Sequence, residues 1–205
     1  SSAAGSAAIG AIDAKNTANT AGITTLNVSG ASTTASSVTS IDADKLTTVT
    51  VSNTIGDSKI GAILVTGSGT NHTDGAIGTI TVSGKTGISK TGTITADNIG
   101  TVTVTSTGTA GTDSAEIGAV TVAGDATGSF TDGTITALKA SAVSQAKIGN
   151  IAADKIDSII VESTSTTLVK DAILGTILDG NGGVKATVGT IDVKSNSGAA
   201  SVASG

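Results

Sequence analysis

Side chains that could perform chemistry are few and scattered in this chain. The single histidine, His72, lies in a glycine-rich segment between Asn71 and Thr73, and the chain contains neither cysteine nor arginine. A histidine can act as a general base or bind a metal ion, but either role needs partner side chains. Because no second histidine or cysteine supplies one, we interpret His72 as an exposed turn residue.

Motifs for nucleophilic and phosphate chemistry are also missing. No Gly-x-Ser-x-Gly segment typical of serine hydrolases occurs in the sequence. Lys185 ends a glycine-rich segment, but Ala186 follows it where a phosphate-binding loop has Ser or Thr. We therefore predict that the protein is not an enzyme and has no catalytic residue and no cofactor.

Several aspartates precede apolar segments, where the chain must turn. They are Asp57, Asp74, Asp113, Asp132 and Asp179. Calcium favours oxygen-rich turns of this kind, but neither an EF-hand spacing nor a Gly-Gly-x-Gly-x-Asp repeat is present. We interpret these residues as turn formers and predict no metal ligand. Two triplets, at Asn27 and Asn71, would permit N-glycosylation.

Composition excludes two classes of partner. Charged residues are 13 % of the chain and the net charge is −5, so little positive charge is available to bind phosphates, and nucleic acid is not an expected partner. No run of about 18 apolar residues predicts a membrane-spanning helix. Since the chain begins at Ser1 without a charged and apolar leader, we expect a mature, processed product.

A short phrase, Ile-Gly-x-Ile/Val-x-Val, recurs along the chain. Clear copies start at Ile60, Ile77, Ile99 and Ile117, and looser copies start at positions 9, 23, 46, 132, 156, 174 and 188. The mean step is about 18 residues. Alternation within one copy places Ile80 and Val82 on one face of a strand, with threonines on the other. A repeated unit that cannot bury its own apolar face must stack on its neighbours.

A longer period accompanies this phrase. The segments Ile41–Leu46, Ile94–Ile99 and Ile151–Ile156 align residue for residue, with spacings of 53 and 57 residues. This spacing predicts a higher-order unit of three coils, one of them with an additional corner strand. The aspartates shared by the three segments are Asp44, Asp97 and Asp154. We expect each to sit at a corner and to accept hydrogen bonds from backbone N–H groups.

The predicted fold is all-β, a β-solenoid of about ten short coils and roughly 50 Å in length. An antiparallel β-sandwich is the alternative, but its core usually recruits aromatic side chains, and Phe130 is the only aromatic residue here. We expect a single domain at residues 9–194 between flexible Ser/Ala/Gly tails at 1–8 and 195–205. Residues 138–146 and 166–174 break the pattern and are expected to form a short helix or a longer loop.

The phrases at Asn98–Val104 and Glu116–Gly124 resemble the β-strand repeats of large prokaryotic cell-surface proteins, which include adhesins, fibres and surface-layer components. The resemblance covers most of the chain between Ile9 and Val193. It implies an exported β-solenoid located outside the cell or on its surface, with cell-surface or matrix components as possible partners.

Function is predicted from the strand edges and the outward residues. The leading hypothesis is an extracellular structural protein that self-assembles as a homo-oligomer or homopolymer, a filament or surface layer, through strand pairing between subunits. Three outward apolar residues are the predicted subunit contacts: Leu64, Ile160 and Leu178. The alternative is a binding module, either an adhesin segment or an ice binder. Thr-x-Thr pairs favour ice binding, but they are interrupted at Leu64, Ala119, Ile160, Leu178 and Asp192.

Overall fold

A computed structural model describes residues 5–15, 22–67, 75–122, 133–166, 170–178 and 186–203. These residues form strands and no helix. The strands are β1 (Ala8–Ala14), β2 (Gly22–Gly30), β3 (Ser36–Ala43), β4 (Lys45–Asn53), β5 (Ser58–Val65), β6 (Ala76–Gly84), β7 (Ile88–Thr91), β8 (Ile94–Ala96), β9 (Asn98–Ser106), β10 (Ser114–Ile117), β11 (Val120–Val122), β12 (Thr134–Ala142), β13 (Gln145–Ile148), β14 (Ile151–Ala152), β15 (Lys155–Ser163), β16 (Ala172–Leu174), β17 (Ile177–Leu178), β18 (Thr187–Ser195) and β19 (Ala200–Val202).

All strand pairs are parallel, and they form two sheets of 12 and 7 strands. The smaller one, sheet B, has the order β2-β4-β6-β9-β12-β15-β18, and sheet A contains the other strands. The all-β prediction is confirmed. The β-solenoid of about ten short coils is wrong, and so is the antiparallel β-sandwich, because the strands form these two parallel sheets instead.

The error has a specific origin in how the repeated phrase is distributed. The prediction assigns one coil to each copy of the phrase, but the chain alternates between the two sheets. The Ile60 copy forms β5 of sheet A, and the Ile77 copy forms β6 of sheet B. The seven strands of sheet B span about 29 Å at a spacing of about 4.8 Å, which is shorter than the predicted 50 Å.

Sheet A changes its construction at β5. Its first strands, β1, β3 and β5, are long and pair in sequence. Beyond β5 the sheet continues as two rows of shorter strands, because β5 pairs with both β7 and β8. One row is β7-β10-β13-β16-β19, and the other is β8-β11-β14-β17.

The core consists of aliphatic rows that run in register across the strands. One row of sheet B contains Leu26, Val49, Ile80, Val102, Leu138, Ile159 and Ile191. The interior members of this row are fully buried, and side chains of both sheets share one core. Full burial stabilises the fold by about 1.5–3 kcal/mol for each large aliphatic side chain.

Glycine in the repeated phrase marks a break in the strand alternation. Ile77 and Ile80 both face the core, whereas Gly78 and Thr79 are both exposed. A Cβ atom at Gly78 would lie 2.5 Å from the carbonyl oxygen of Thr47 in the neighbouring strand. The close approach of stacked backbones therefore explains this glycine. In sheet A the glycines themselves stack, and a Cβ atom at Gly149 would lie 2.9 Å from the carbonyl carbon of Gly118.

The shared aspartates lie at the corner that leads into sheet B. Oδ2 of Asp97 accepts hydrogen bonds from the N–H groups of Gly67 and Gly75, each at 3.0 Å. The corner interpretation is confirmed for Asp97. The three-coil unit is wrong. The period of 53 residues leads from Leu46 of β4 to Ile99 of β9, and only β6 lies between these strands, so the period covers two steps of sheet B and not three.

The two segments expected to form a short helix or a longer loop contain strands instead, as far as the structure describes them. Residues 138–146 continue β12 and begin β13. Within 166–174, residues 167–169 lie outside the described part of the chain and Ala172–Leu174 form β16. Phe130 lies outside the described residues as well. The boundaries 1–8, 9–194 and 195–205 stay a prediction, although β19 falls within the last of these segments and pairs with β16.

Candidate functional site: strand edges and outer faces

Most candidates for chemistry in the sequence lie outside the described residues, namely His72, Asn71, Asp74, Asp132, Asp179 and Lys185. Among the described aspartates, Asp113 is buried and holds a turn. Its Oδ1 accepts a hydrogen bond from Gly87 N–H at 2.7 Å, and its Oδ2 accepts one from Ala110 N–H at 2.8 Å. Both carboxylate oxygens are therefore used by the backbone of the fold.

Asp57 joins two neighbouring strands of sheet A through its carboxylate. Burial by itself raises the pKa of Asp57, but a hydrogen bond from Lys59, a 2.8 Å hydrogen bond from Ile88 N–H and the charges of Lys59 and Lys90 outweigh it. The pKa consequently lies below its ordinary value of 3.8. The carboxylate of Asp57 therefore links β7 to the start of β5.

A shallow groove of about 360 Å³ crosses sheet A above its stacked glycines. Lys90, Glu116 and Lys147 line it and lie opposite one another on adjacent strands. Alternating charge signs at these positions are favourable for cross-strand pairing. Within the described residues, no three His, Cys, Asp or Glu side chains are grouped so that they could hold a metal ion.

The C-terminal edge, which we define as β17, β18 and β19, exposes apolar side chains. Ile191 is 42 % exposed, Val202 is 52 % exposed and Leu178 is 50 % exposed. Ile191 and Val202 belong to inward rows, and their neighbours Ile159 and Leu174 are completely buried. These two side chains are exposed because no further strand among the described residues covers them.

The N-terminal edge, which we define as β1 and β2, has a similar character. Ile9, Ile12, Ile23 and Leu26 pack against the core but are only partly buried. On their inner side they pair with β3 and β4. Within the described chain, the outer sides of β1 and β2 therefore present both unpaired strand backbone and incompletely covered aliphatic side chains.

Lys15 and Lys194, one near each edge, are both paired inside the molecule. Lys15 forms an ion pair with Asp42 at 2.7 Å, and Lys194 forms one with Asp192 at 2.5 Å. The hydrogen bond and charge of Asp192 raise the pKa of Lys194. Neither edge thus carries, at these positions, a lone charge that would repel an apolar partner surface.

The three predicted subunit contacts do not meet on one surface. Leu64, which is 37 % exposed, and Leu178 lie in one outward row of sheet A, whereas Ile160 lies on the outside of sheet B. The full row in sheet A is Asp13, Asp42, Leu64, Thr95, Thr121, Ala152 and Leu178. The sequence analysis does not predict the exposure of Ile191 or Val202. Alternation assigns Ile191 to the core, Val202 falls in the predicted flexible tail at 195–205, and the strand order that ends at these residues is invisible in the sequence.

Only some of the Thr-x-Thr pairs of the sequence lie on the outer face of sheet B. Thr48/Thr50, Thr79/Thr81 and Thr101/Thr103 lie in register on three adjacent strands. Another pair of the sequence, Thr93/Thr95, does not belong to this face, because Thr95 lies in β8 of sheet A. The copy counted from Asp132 was assigned the wrong register, because Ile135 pairs with Ile99, and the outward residues of β12 are therefore Ala137 and Lys139.

Comparisons with known proteins add no identification. No protein-family model matches the chain, and searches of curated proteins and of solved structures find no significant match. Across the described residues, no helix has the length and apolar character needed to cross a membrane. The two edges and the outer faces are therefore the features from which a function can be inferred.

Proposed function

We propose that this protein is a structural protein of the cell exterior whose copies join head to tail into a filament. The observation that carries the proposal is the C-terminal edge, where two side chains of the inward rows, Ile191 and Val202, are about half exposed. A second copy offers the strands that complete them. Both edges belong to parallel sheets, so a further parallel strand can be added to each without changing the direction of stacking.

The rows of the two edges correspond position by position. Along sheet B, continuing the register would place Leu26 of the next copy beside Ile191 and Val28 of that copy beside Val193. Along sheet A, it would place Ile9 of the next copy beside Val202. Each aliphatic row of one molecule would then continue into the next.

The fold already contains one long strand that pairs, along one side, with two short strands. β5 pairs with both β7 and β8, and β1 of a second copy would pair with β19 and β17 in the same manner. This contact joins two different surfaces, so it is heterologous, and copies joined in this way need not form a closed ring. Repetition of such a contact produces a linear polymer.

The first test measures assembly and its repeat distance. Electron microscopy of the purified protein is expected to show filaments with an axial rise of about 34 Å per subunit, equal to seven strand spacings of about 4.8 Å. Sedimentation velocity is expected to show mass that increases with protein concentration. A monomer at all concentrations, or filaments with an unrelated rise, would contradict the proposal.

A matched pair of variants distinguishes assembly through the C-terminal edge from non-specific aggregation. Ile191→Lys places a charge on the C-terminal edge and is expected to abolish filaments while the circular dichroism spectrum remains that of a β protein. Ile55→Lys replaces a side chain that is 49 % exposed in the turn after β4, outside the strands of both edges, and it should leave assembly unchanged. Equal loss of assembly in both variants would exclude the C-terminal edge as the contact.

Location outside the cell is part of the same proposal and is supported by the resemblance to surface-protein repeats. An antibody raised against the purified chain should label intact source cells or their medium. Labelling that requires permeabilised cells would refute the location without affecting the assembly test.

A further inference from the structure

The outer face of sheet B carries an uninterrupted array of small polar side chains on four adjacent strands. We call it the hydroxyl face. Its rows across β2, β4, β6 and β9 are Thr25-Thr48-Thr79-Thr101, Asn27-Thr50-Thr81-Thr103 and Ser29-Ser52-Ser83-Thr105. Eleven of these twelve residues carry a hydroxyl group, and none is charged.

The structure removes the objection that the sequence raises against a regular lattice. Leu64, Ala119 and Leu178, which appear to interrupt the threonine pairs, all belong to sheet A or its connections. Ile160 and Asp192 do lie in sheet B, but on β15 and β18, beyond the last strand of the hydroxyl face. The interruptions are therefore on another surface or outside the array.

The hydroxyl groups are presented to solvent rather than used inside the fold. Thr79 is exposed, and Thr48, Thr50, Thr81, Thr101 and Thr103 are partly exposed. Their side chains make no hydrogen bond to any described residue. Thr side chains have few χ1 rotamers, so each methyl and hydroxyl pair has a restricted position. Neighbours are about 4.8 Å apart across strands and roughly 6.6 Å apart along them.

An uncharged and periodic surface of this kind can hold water in an ordered layer, with methyl groups limiting the directions in which each hydroxyl bonds. We propose that the hydroxyl face binds the surface of ice. An insoluble polysaccharide is a poorer match, because sugar-binding faces use aromatic platforms and the outward positions here contain none. This proposal concerns a face that runs along the stacking direction, separate from the two edges, and does not depend on filament formation.

Ice affinity purification provides the main test. A growing ice surface is expected to incorporate the protein, and solutions should show thermal hysteresis, while a non-binding control protein is excluded. Thr81→Lys, at the centre of the hydroxyl face, is expected to reduce both signals to the level of that control. Thr95→Lys introduces the same side chain at a partly exposed position of sheet A and should leave both signals unchanged.

A gain-of-function variant makes the test stricter. The double variant Lys139→Thr and Ile160→Thr extends the middle row onto β12 and β15 and is expected to increase thermal hysteresis. All measurements are repeated in the Ile191→Lys background, so that failure of assembly and failure of ice binding can be told apart. Exclusion of the unmodified protein from ice, equal loss in Thr81→Lys and Thr95→Lys, or retention on cellulose or chitin without ice binding would overturn the proposal.

Discussion

The two halves of sheet B have similar inner surfaces and different outer surfaces. The first three inward positions are Ile or Val both in β6 and β9 and in β15. Outward positions of the first four strands form the hydroxyl face, whereas β12, β15 and β18 carry Lys139, Ile160, Glu162, Asp192 and Lys194. The fold therefore accepts charged and apolar residues at these outward positions. The uniform hydroxyl groups of the first half are not a requirement of strand stacking.

The largest expected effect tests the claim that the inner surfaces are equivalent. Ile80→Ala in the first half and Ile159→Ala in the second each remove a fully buried side chain of the same row. Each variant should lose about 2–5 kcal/mol of unfolding free energy, through lost burial and the cavity that remains. Urea unfolding followed by circular dichroism measures this loss. A much smaller loss in one half would show that the two inner surfaces are not equivalent.

The corner aspartates should distinguish the halves. Asp97→Ala leaves the N–H groups of Gly67 and Gly75 without their acceptor and is expected to cost about 2 kcal/mol. Oδ2 of Asp154 is buried without a hydrogen-bond partner in the described structure, so Asp154→Ala should be neutral or slightly stabilising. Thermal unfolding of both variants provides the comparison, and equal destabilisation would contradict the difference in hydrogen bonding.

The pH dependence of Asp57 gives a smaller effect, confined to sheet A. Its pKa is lowered in the folded state, so its ionised form stabilises the fold above the ordinary value of 3.8. That contribution is lost as the pH falls through the lowered folded pKa. Because the side chain is partly exposed, we expect Asp57→Asn to cost under about 1 kcal/mol at pH 7 and the difference to vanish in acid. An undiminished difference at pH 2 would show that the charge is not responsible.

Outward substitutions should have the smallest effect on stability and so sharpen the contrast with Ile80. Thr103→Ala on the hydroxyl face and Lys139→Ala next to it, in the same row, are each expected to change the unfolding free energy by no more than about 0.5 kcal/mol. Urea midpoints measure both. If Thr103→Ala destabilised the protein by as much as Ile80→Ala, the hydroxyl face would be explained by the fold alone.

Local features of the fold were predictable from the sequence, whereas the assignment of strands to sheets was not. Alternation correctly placed Ile80 and Val82 in the core, and the polar corner before Asn98 correctly identified Asp97 as a backbone acceptor. Both features depend on a few neighbouring residues. The copies at Ile60 and Ile77 have the same phrase but belong to different sheets, because parallel partners are chosen by stacking across 21 to 36 residues.

For the candidate surfaces as well, local features were predictable and the assignment to a sheet was not. Sequence reasoning recognised threonine pairs and exposed leucines, but it placed them on a single face, and this hid the regularity of the hydroxyl face. It also assigned Ile191 to the interior, which is correct for its direction and wrong for its exposure. Exposure at an edge depends on which strand is last in the sheet, a property that no local pattern contains.

The carboxylate of Asp97 has a consequence for protein engineering. Its Oδ2 atom accepts hydrogen bonds from both Gly67 and Gly75, so these two glycines are held close together. Because both glycines are already held together, extra residues inserted between them would add little to the entropic cost of closing the chain. We expect this position to accept a grafted epitope, which a polymer of the protein would then display at regular intervals along its length.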